Sequence, residues 1–202
     1  MSLSVEQFLS FSESEQLQTV KELNDTGNVK TIIDVLTSVG IENLSISLLG
    51  ELGRAYNNGN EKEAIKVLES IDEEYRDAVW YYRCAYAYGA IASDNNESYT
   101  SDIMKQMLRL VDQGVRLAQE KNLDDIKSYC FEVIDMCYMQ MDFEQCEAEY
   151  PELCKAYSNY VAEKKKKREG VPRHRTITIE EIQSADDMWT INEPMYWSIN
   201  IY

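Results

Sequence analysis

The stretch LGELGRAYNNGNEKEAI, residues 50–66, constrains most what this chain can fold into. Leu52, Ala55 and Tyr56 share one face at helical spacing, and Ala64 and Ile65 begin a second stripe that Leu68 and Ile71 continue. The intervening NNGN is turn chemistry, so the segment predicts a hairpin of two amphipathic helices. Such a hairpin buries one side on itself and leaves another unfilled, so it needs stacked neighbours.

The rest of the chain can supply them. Eight Gly and only three Pro leave long uninterrupted helical stretches, and a hydrophobic fraction of 44% with 28% charged residues is that of an ordinary folded protein. The fold class expected is all-α. Ser4, then Ser12 or Ser14, can cap one or two short helices over about 5–24, with Gly27 ending them. Asn28 can cap the periodic stretch 29–39, which Gly40 stops. Apolar stripes then predict helices over the 43–72 hairpin, over YRDAVWYYRCAYAYGAI, over 99–120 and over 123–140. A last helix over about 143–167 carries Pro151 as an expected kink. About eight helices result, in hairpins near 5–40, 43–72, 76–121 and 123–167 of a domain spanning 1–167.

Sliding the chain against itself finds the hairpin again. Cys84, Ala85 and Tyr88 take the places of Leu52, Gly53 and Tyr56 after a shift of 32 residues, with Trp80 in support. A third unit follows after a further 49, with Val133 opposite Cys84 and with Phe143, Cys146, Tyr150 and Leu153 at the apolar or small positions. This pattern resembles the tetratricopeptide repeat, in divergent form, over roughly residues 17–165. It is similar to bacterial arrays that carry AYNN and WHYR-like strings, here RAYNNGN and VWYYRCAYAY. The resemblance implies a superhelix of antiparallel hairpins in which Leu52, Gly53, Tyr56, Ala64, Cys84, Ala85, Tyr88, Cys146 and Tyr150 are packing positions. It also implies a partner-binding groove on the first helix of each pair, with Arg54, Asn57, Asn58, Tyr82, Tyr86, Phe131, Asp135 and Tyr138 as its candidate side chains. Ser47, Val79 and Ser128 fall on the same face, as do Gly50, Gly89 and Ala90. Asn57 and Asn58 equally suit the end of a helix, which is the preferred reading for that pair.

Charge narrows the partner. Residues 1–163 carry 13 basic and 30 acidic side chains, whereas 164–175 carry seven basic and one acidic. The acidic body repels phosphate backbones, so nucleic acid is not expected there, and a basic protein or peptide is favoured. Five cysteines without a Cys-x-x-Cys pair, and a single His174, argue for buried thiols and against zinc or a histidine-centred triad. No cofactor and no enzymatic activity are expected. No apolar run reaches membrane-spanning length, and the amino end lacks a secretion signal, which predicts a cytoplasmic chain.

KKKKREGVPRHR ends in a basic linker, 168–175, whose lysines complement a helix carboxy terminus. Residues 176–202 bring TITIEEI and then Trp189, Tyr196, Trp197 and Tyr202, an aromatic non-helical tail or the start of a further domain. A tail docked in the groove, in cis or in a neighbouring copy, avoids an exposed apolar patch and would give self-association. The function expected is a non-catalytic protein- or peptide-binding adaptor or scaffold. The alternative is a regulatory or immunity-type component of a bacterial toxin-associated system whose repeats serve a carboxy-terminal domain.

Overall fold

The computed structural model describes residues 3–169, with side chains through residue 166. Arg168 and Glu169, expected as the start of the basic linker, belong to the last helix, and the rest of the linker and the aromatic tail lie outside the described residues. The chain divides into two compact units, Met1–Tyr157 and Ser158–Tyr202. In the second, the described part continues the last helix, and the Lys164 ammonium lies 4.4 Å from the centre of the Tyr160 ring.

The described residues are all-α, with ten α-helices and no strand. They are α1 (Val5–Leu9), α2 (Glu13–Asp25), α3 (Val29–Val39), α4 (Ile46–Tyr56), α5 (Glu61–Glu69), α6 (Ala78–Asp94), α7 (Asp102–Glu120), α8 (Asp124–Met136), α9 (Phe143–Glu149) and α10 (Pro151–Glu169). Side-chain caps mark the starts of several. Ser12 and Glu15 form a reciprocal capping box on α2, and Asp77, Ser101 and Asp142 accept from backbone amides at the heads of α6, α7 and α9. Asn28 precedes α3 without capping it, and its side-chain Nδ2 donates to the Thr26 hydroxyl. Gly27 and Gly40 follow α2 and α3 at φ +73° and +94°, a backbone conformation that favours glycine.

In the first unit the hairpins α2–α3, α4–α5 and α6–α7 stack by one rule: the first helix of each packs on both helices of the hairpin before it. Thus α4 meets α2 and α3, α6 meets α4 and α5, and α8 meets α6 and α7. The core lies between these layers. Ile32 and Leu36 of α3, Leu52 of α4, Leu68 of α5, and Met104, Met107 and Leu108 of α7 are buried there. α1 packs on α3 through buried Phe8.

Two breaks raise the helix number above the eight expected. Ser10 to Ser12 separate α1 from α2, and Tyr150 separates α9 from α10. The expected kink at Pro151 is instead a full break. A residue before proline is pushed out of the helical region, and Tyr150 sits at φ −134°, ψ 61°. Pro151 then starts α10, where its missing N–H costs no hydrogen bond. Among the described residues, no helix is long and apolar enough to cross a membrane.

Within the α4–α5 hairpin the helices cross closely at Gly53. A Cβ there would stand 2.5 Å from Cγ and Cδ2 of Leu68 on α5. Gly53→Ala is therefore expected to destabilise the chain by about 1–3 kcal/mol through overpacking. Alanine's better helix propensity offsets at most about 1 kcal/mol of that. A urea-unfolding midpoint unchanged or raised in the variant would refute the close crossing.

Candidate functional site

The first helices α2, α4, α6 and α8 lie side by side, and a seam of two side-chain clusters marks them, one polar across α2, α4 and α6 and one aromatic across α6 and α8. It begins with Arg54 of α4, whose Nη2 donates to Asp25 Oδ1 on α2 at 2.8 Å while Nη1 stands 3.6 Å from Glu51 Oε2. Glu51 is 5% exposed. Its Oε2 accepts from Asn24 Nδ2 at 2.8 Å and its Oε1 accepts from Arg83 Nη2 of α6 at 2.7 Å. Asn24 also donates to the Glu51 carbonyl at 3.1 Å, so α2, α4 and α6 are tied through one carboxylate. Gly50 leaves room for this arrangement, since a Cβ there would lie 3.0 Å from Arg83 Nη1.

Burial pushes the Glu51 carboxyl up, but Arg83, Asn24 and Arg54 together outweigh it and hold the group below the ordinary glutamate value. The carboxylate is therefore charged at neutral pH and fixes two guanidinium groups. Arg54 remains partly exposed, while Arg83 is mostly enclosed.

Next to Arg83 the seam turns aromatic. The Tyr82 and Tyr86 rings of α6 are 6.4 Å apart, edge to face, and Tyr82 is 5.4 Å from Tyr129 of α8. Tyr129 is 42% exposed, and Tyr82 and Tyr86 are half-buried. Burial, with Tyr86 and Glu132 nearby, pushes the Tyr82 phenol up to about 12, so it is a neutral donor across physiological pH. The seam thus offers a guanidinium, an exposed carboxylate at Asp25 and three tyrosine rings. That set suits recognition of a polar chain carrying apolar or cationic residues.

The structure distributes the expected groove residues unevenly. Arg54, Tyr82 and Tyr86 lie in the seam. Asn57 ends α4, and its Nδ2 donates to the Arg83 carbonyl at 2.9 Å, so it ties α4 to α6. Asn58 is exposed and donates to the Arg54 carbonyl of its own helix at 3.1 Å, a helix-ending role. Gly89 does not line a groove, because Val133 and Met136 of α8 cover it.

Of the three candidates of the third unit, Phe131 needs correction, whereas Asp135 and Tyr138 are exposed. Phe131 is 2% exposed with its ring 6.0 Å from that of Tyr157, so it is core rather than groove. Asp135 accepts from the Tyr157 hydroxyl at 2.6 Å and serves the packing of α10. Tyr138 lies beyond the end of α8, in a short 3-10 turn, with its ring 5.2 Å from Phe143.

The packing positions are mostly interior. Leu52, Ala64, Cys84, Ala85 and Cys146 are buried, Gly53 meets Leu68, and Tyr56, Tyr88 and Tyr150 are half-buried. The Tyr88 hydroxyl donates to Glu69 Oε1 at 3.0 Å, which joins α6 to α5. Cys130 and Cys137 are buried thiols on α8 and at its end, and burial pushes them up to about 12 and about 11.

Sequence reasoning missed Glu51, Asn24, Arg83 and Tyr129. A signal for the central pair was present, because Glu51 and Arg83 stand 32 residues apart, the same shift that relates the first two repeats. Opposite charges at equivalent positions of adjacent first helices are placed to pair. Compared with family models, with curated proteins and with solved structures, the chain matches none.

Proposed function

We propose that this chain is a non-catalytic recognition module, an adaptor that receives a protein segment or peptide along the seam of its first helices. The observation that supports this reading is a pair of clusters on the first helices: Arg54 of α4 held by the buried Glu51 carboxylate, and the Tyr82, Tyr86 and Tyr129 rings packed together across α6 and α8. The partner favoured is basic, because 30 acidic side chains against 13 basic ones in residues 1–163 attract it before contact.

Selection of displayed random peptides on the folded chain tests this. The selected peptides are expected to be enriched in Lys or Arg together with an apolar residue. The double variant Arg54→Ala/Tyr86→Ala is expected to bind them at least about tenfold more weakly, a loss of about 1.4 kcal/mol. Association rates should fall with added salt. Equal affinity of the folded double variant would remove the seam from the reading, and selection of acidic peptides would reverse the charge argument.

A further inference from the structure

At the elbow between α9 and α10, two thiols meet that the sequence keeps eight residues apart. In a continuous helix, positions eight apart are separated by about 12 Å along the axis and cannot touch. Tyr150 leaves the helical region ahead of Pro151, and the turn brings Cys154 Sγ to 3.1 Å from Cys146 Sγ. The bend is held by backbone bonds on both sides. The Tyr150 amide donates to the Cys146 carbonyl at 2.7 Å, and the Cys154 amide donates to the Tyr150 carbonyl at 3.0 Å.

The two thiols differ in access, since Cys146 is buried and Cys154 is partly exposed. The remaining cysteines, Cys84, Cys130 and Cys137, are all buried. Cys130 packs where α7 passes α8 at Gly114, and Cys137 donates to the Gly89 carbonyl at 3.3 Å.

We propose that Cys146 and Cys154 form a redox-modifiable pair, in which a peroxide oxidises Cys154 and Cys146 resolves it by closing a disulfide across the α9–α10 elbow. In the first step the Cys154 thiolate attacks one peroxide oxygen. An S–O bond forms, the O–O bond breaks, and the departing hydroxide takes the proton that Cys154 released, leaving as water. In the second step Cys146 Sγ attacks Cys154 Sγ. The S–S bond forms, the S–O bond breaks, and the Cys146 proton leaves with the hydroxide as a second water. Two thiols lose two electrons and one peroxide becomes two waters. Closure needs the sulfurs to approach by only about 1 Å, to the bonded distance of about 2.05 Å. Burial pushes the Cys146 thiol up to about 12 and keeps it from solvent, so the partly exposed Cys154 is the thiol that meets peroxide first.

The test treats the full chain with hydrogen peroxide, counts thiols after denaturation and maps the linked peptides. Of the five cysteines, two are expected to disappear together, with a mass loss of about 2 Da that a dithiol reductant reverses. Mapping should join Cys146 to Cys154. Cys154→Ala, at the more accessible position, should keep its remaining thiols, and Cys146→Ala should yield a sulfenic acid at Cys154 that dimedone captures. The pair is overturned if the treated chain retains all five thiols, if the linkage maps elsewhere, or if Cys154→Ala loses thiols as fast as the unaltered chain. Should Cys146→Ala not fold, the peptide map of the unaltered chain and the Cys154→Ala thiol count decide the matter.

Discussion

Replacing Glu51 with alanine is expected to destabilise the first unit by about 3–5 kcal/mol, the cost typical of removing one partner from a buried ion pair. The reason lies in what the deletion leaves behind. Arg83, only 14% exposed at its side chain, would lose the carboxylate 2.7 Å away and keep its charge in an enclosed site. Asn24 would lose its 2.8 Å acceptor, and Arg54 would keep only Asp25. The loss is read as a fall in the urea midpoint at neutral pH, with no change in helix content before the transition. A variant within about 0.5 kcal/mol of the parent, the range of ordinary surface substitutions, would show that the carboxylate does not tie the helices.

The same group sets a pH dependence. Its folded value lies below the ordinary 4.5, so its contribution is fully present above the unfolded value and is lost as pH falls through the folded one. The acid limb of the stability curve below about pH 4.5 should therefore be shallower in Glu51→Gln, which cannot titrate there. An acid limb identical in the two proteins would assign the acid sensitivity to other carboxylates.

Trp80→Ala is the second large effect expected, about 3–5 kcal/mol. Trp80 is buried at the head of α6, and its Nε1 donates to the Leu68 carbonyl of α5 at 2.7 Å. The Arg76 guanidinium lies 4.4 Å from the ring centre and donates through Nε to the Ile71 carbonyl at 3.0 Å. Removing the indole opens a large cavity between two hairpins, strips the Leu68 carbonyl of its indole donor and frees Arg76 from its ring. Trp80→Phe keeps most of the apolar volume and should cost clearly less, about 1–2 kcal/mol, chiefly the hydrogen bond. Equal losses in the two variants would place the energy in the hydrogen bond rather than in packing.

Both sites sit where successive hairpins meet, and such places are the hardest to read from sequence. The seam's Arg54, Tyr82 and Tyr86 follow from the repeat pattern, because residues at equivalent positions of equivalent helices share a face. Tyr129 did not follow. Val133 and Ile134 are adjacent, apolar and both buried, so the apolar pattern alone does not say which flank of α8 meets α6. The packing of Phe131 on Tyr157 and of Tyr129 on Tyr82 decides it.

The sequence by itself determined the helices and most of their ends. Apolar spacing is a local property, and Ser12, Asp77, Gly27 and Gly40 act on backbone groups within a few residues of themselves. It also determined the hairpins, since short turns leave a helix few places to go but back along its neighbour. The tertiary structure alone decided how far the chain turns at Tyr150 and what faces what across the stack. Pro151 announces a disturbance, but whether it bends a helix or ends it depends on the packing that α10 finds, here Tyr157 on Phe131 and Asp135. The burial of Glu51 was likewise beyond local reading. A glutamate on an amphipathic helix ordinarily faces water, and only the arrival of Asn24 and Arg83 from helices 27 and 32 residues away makes its enclosure favourable.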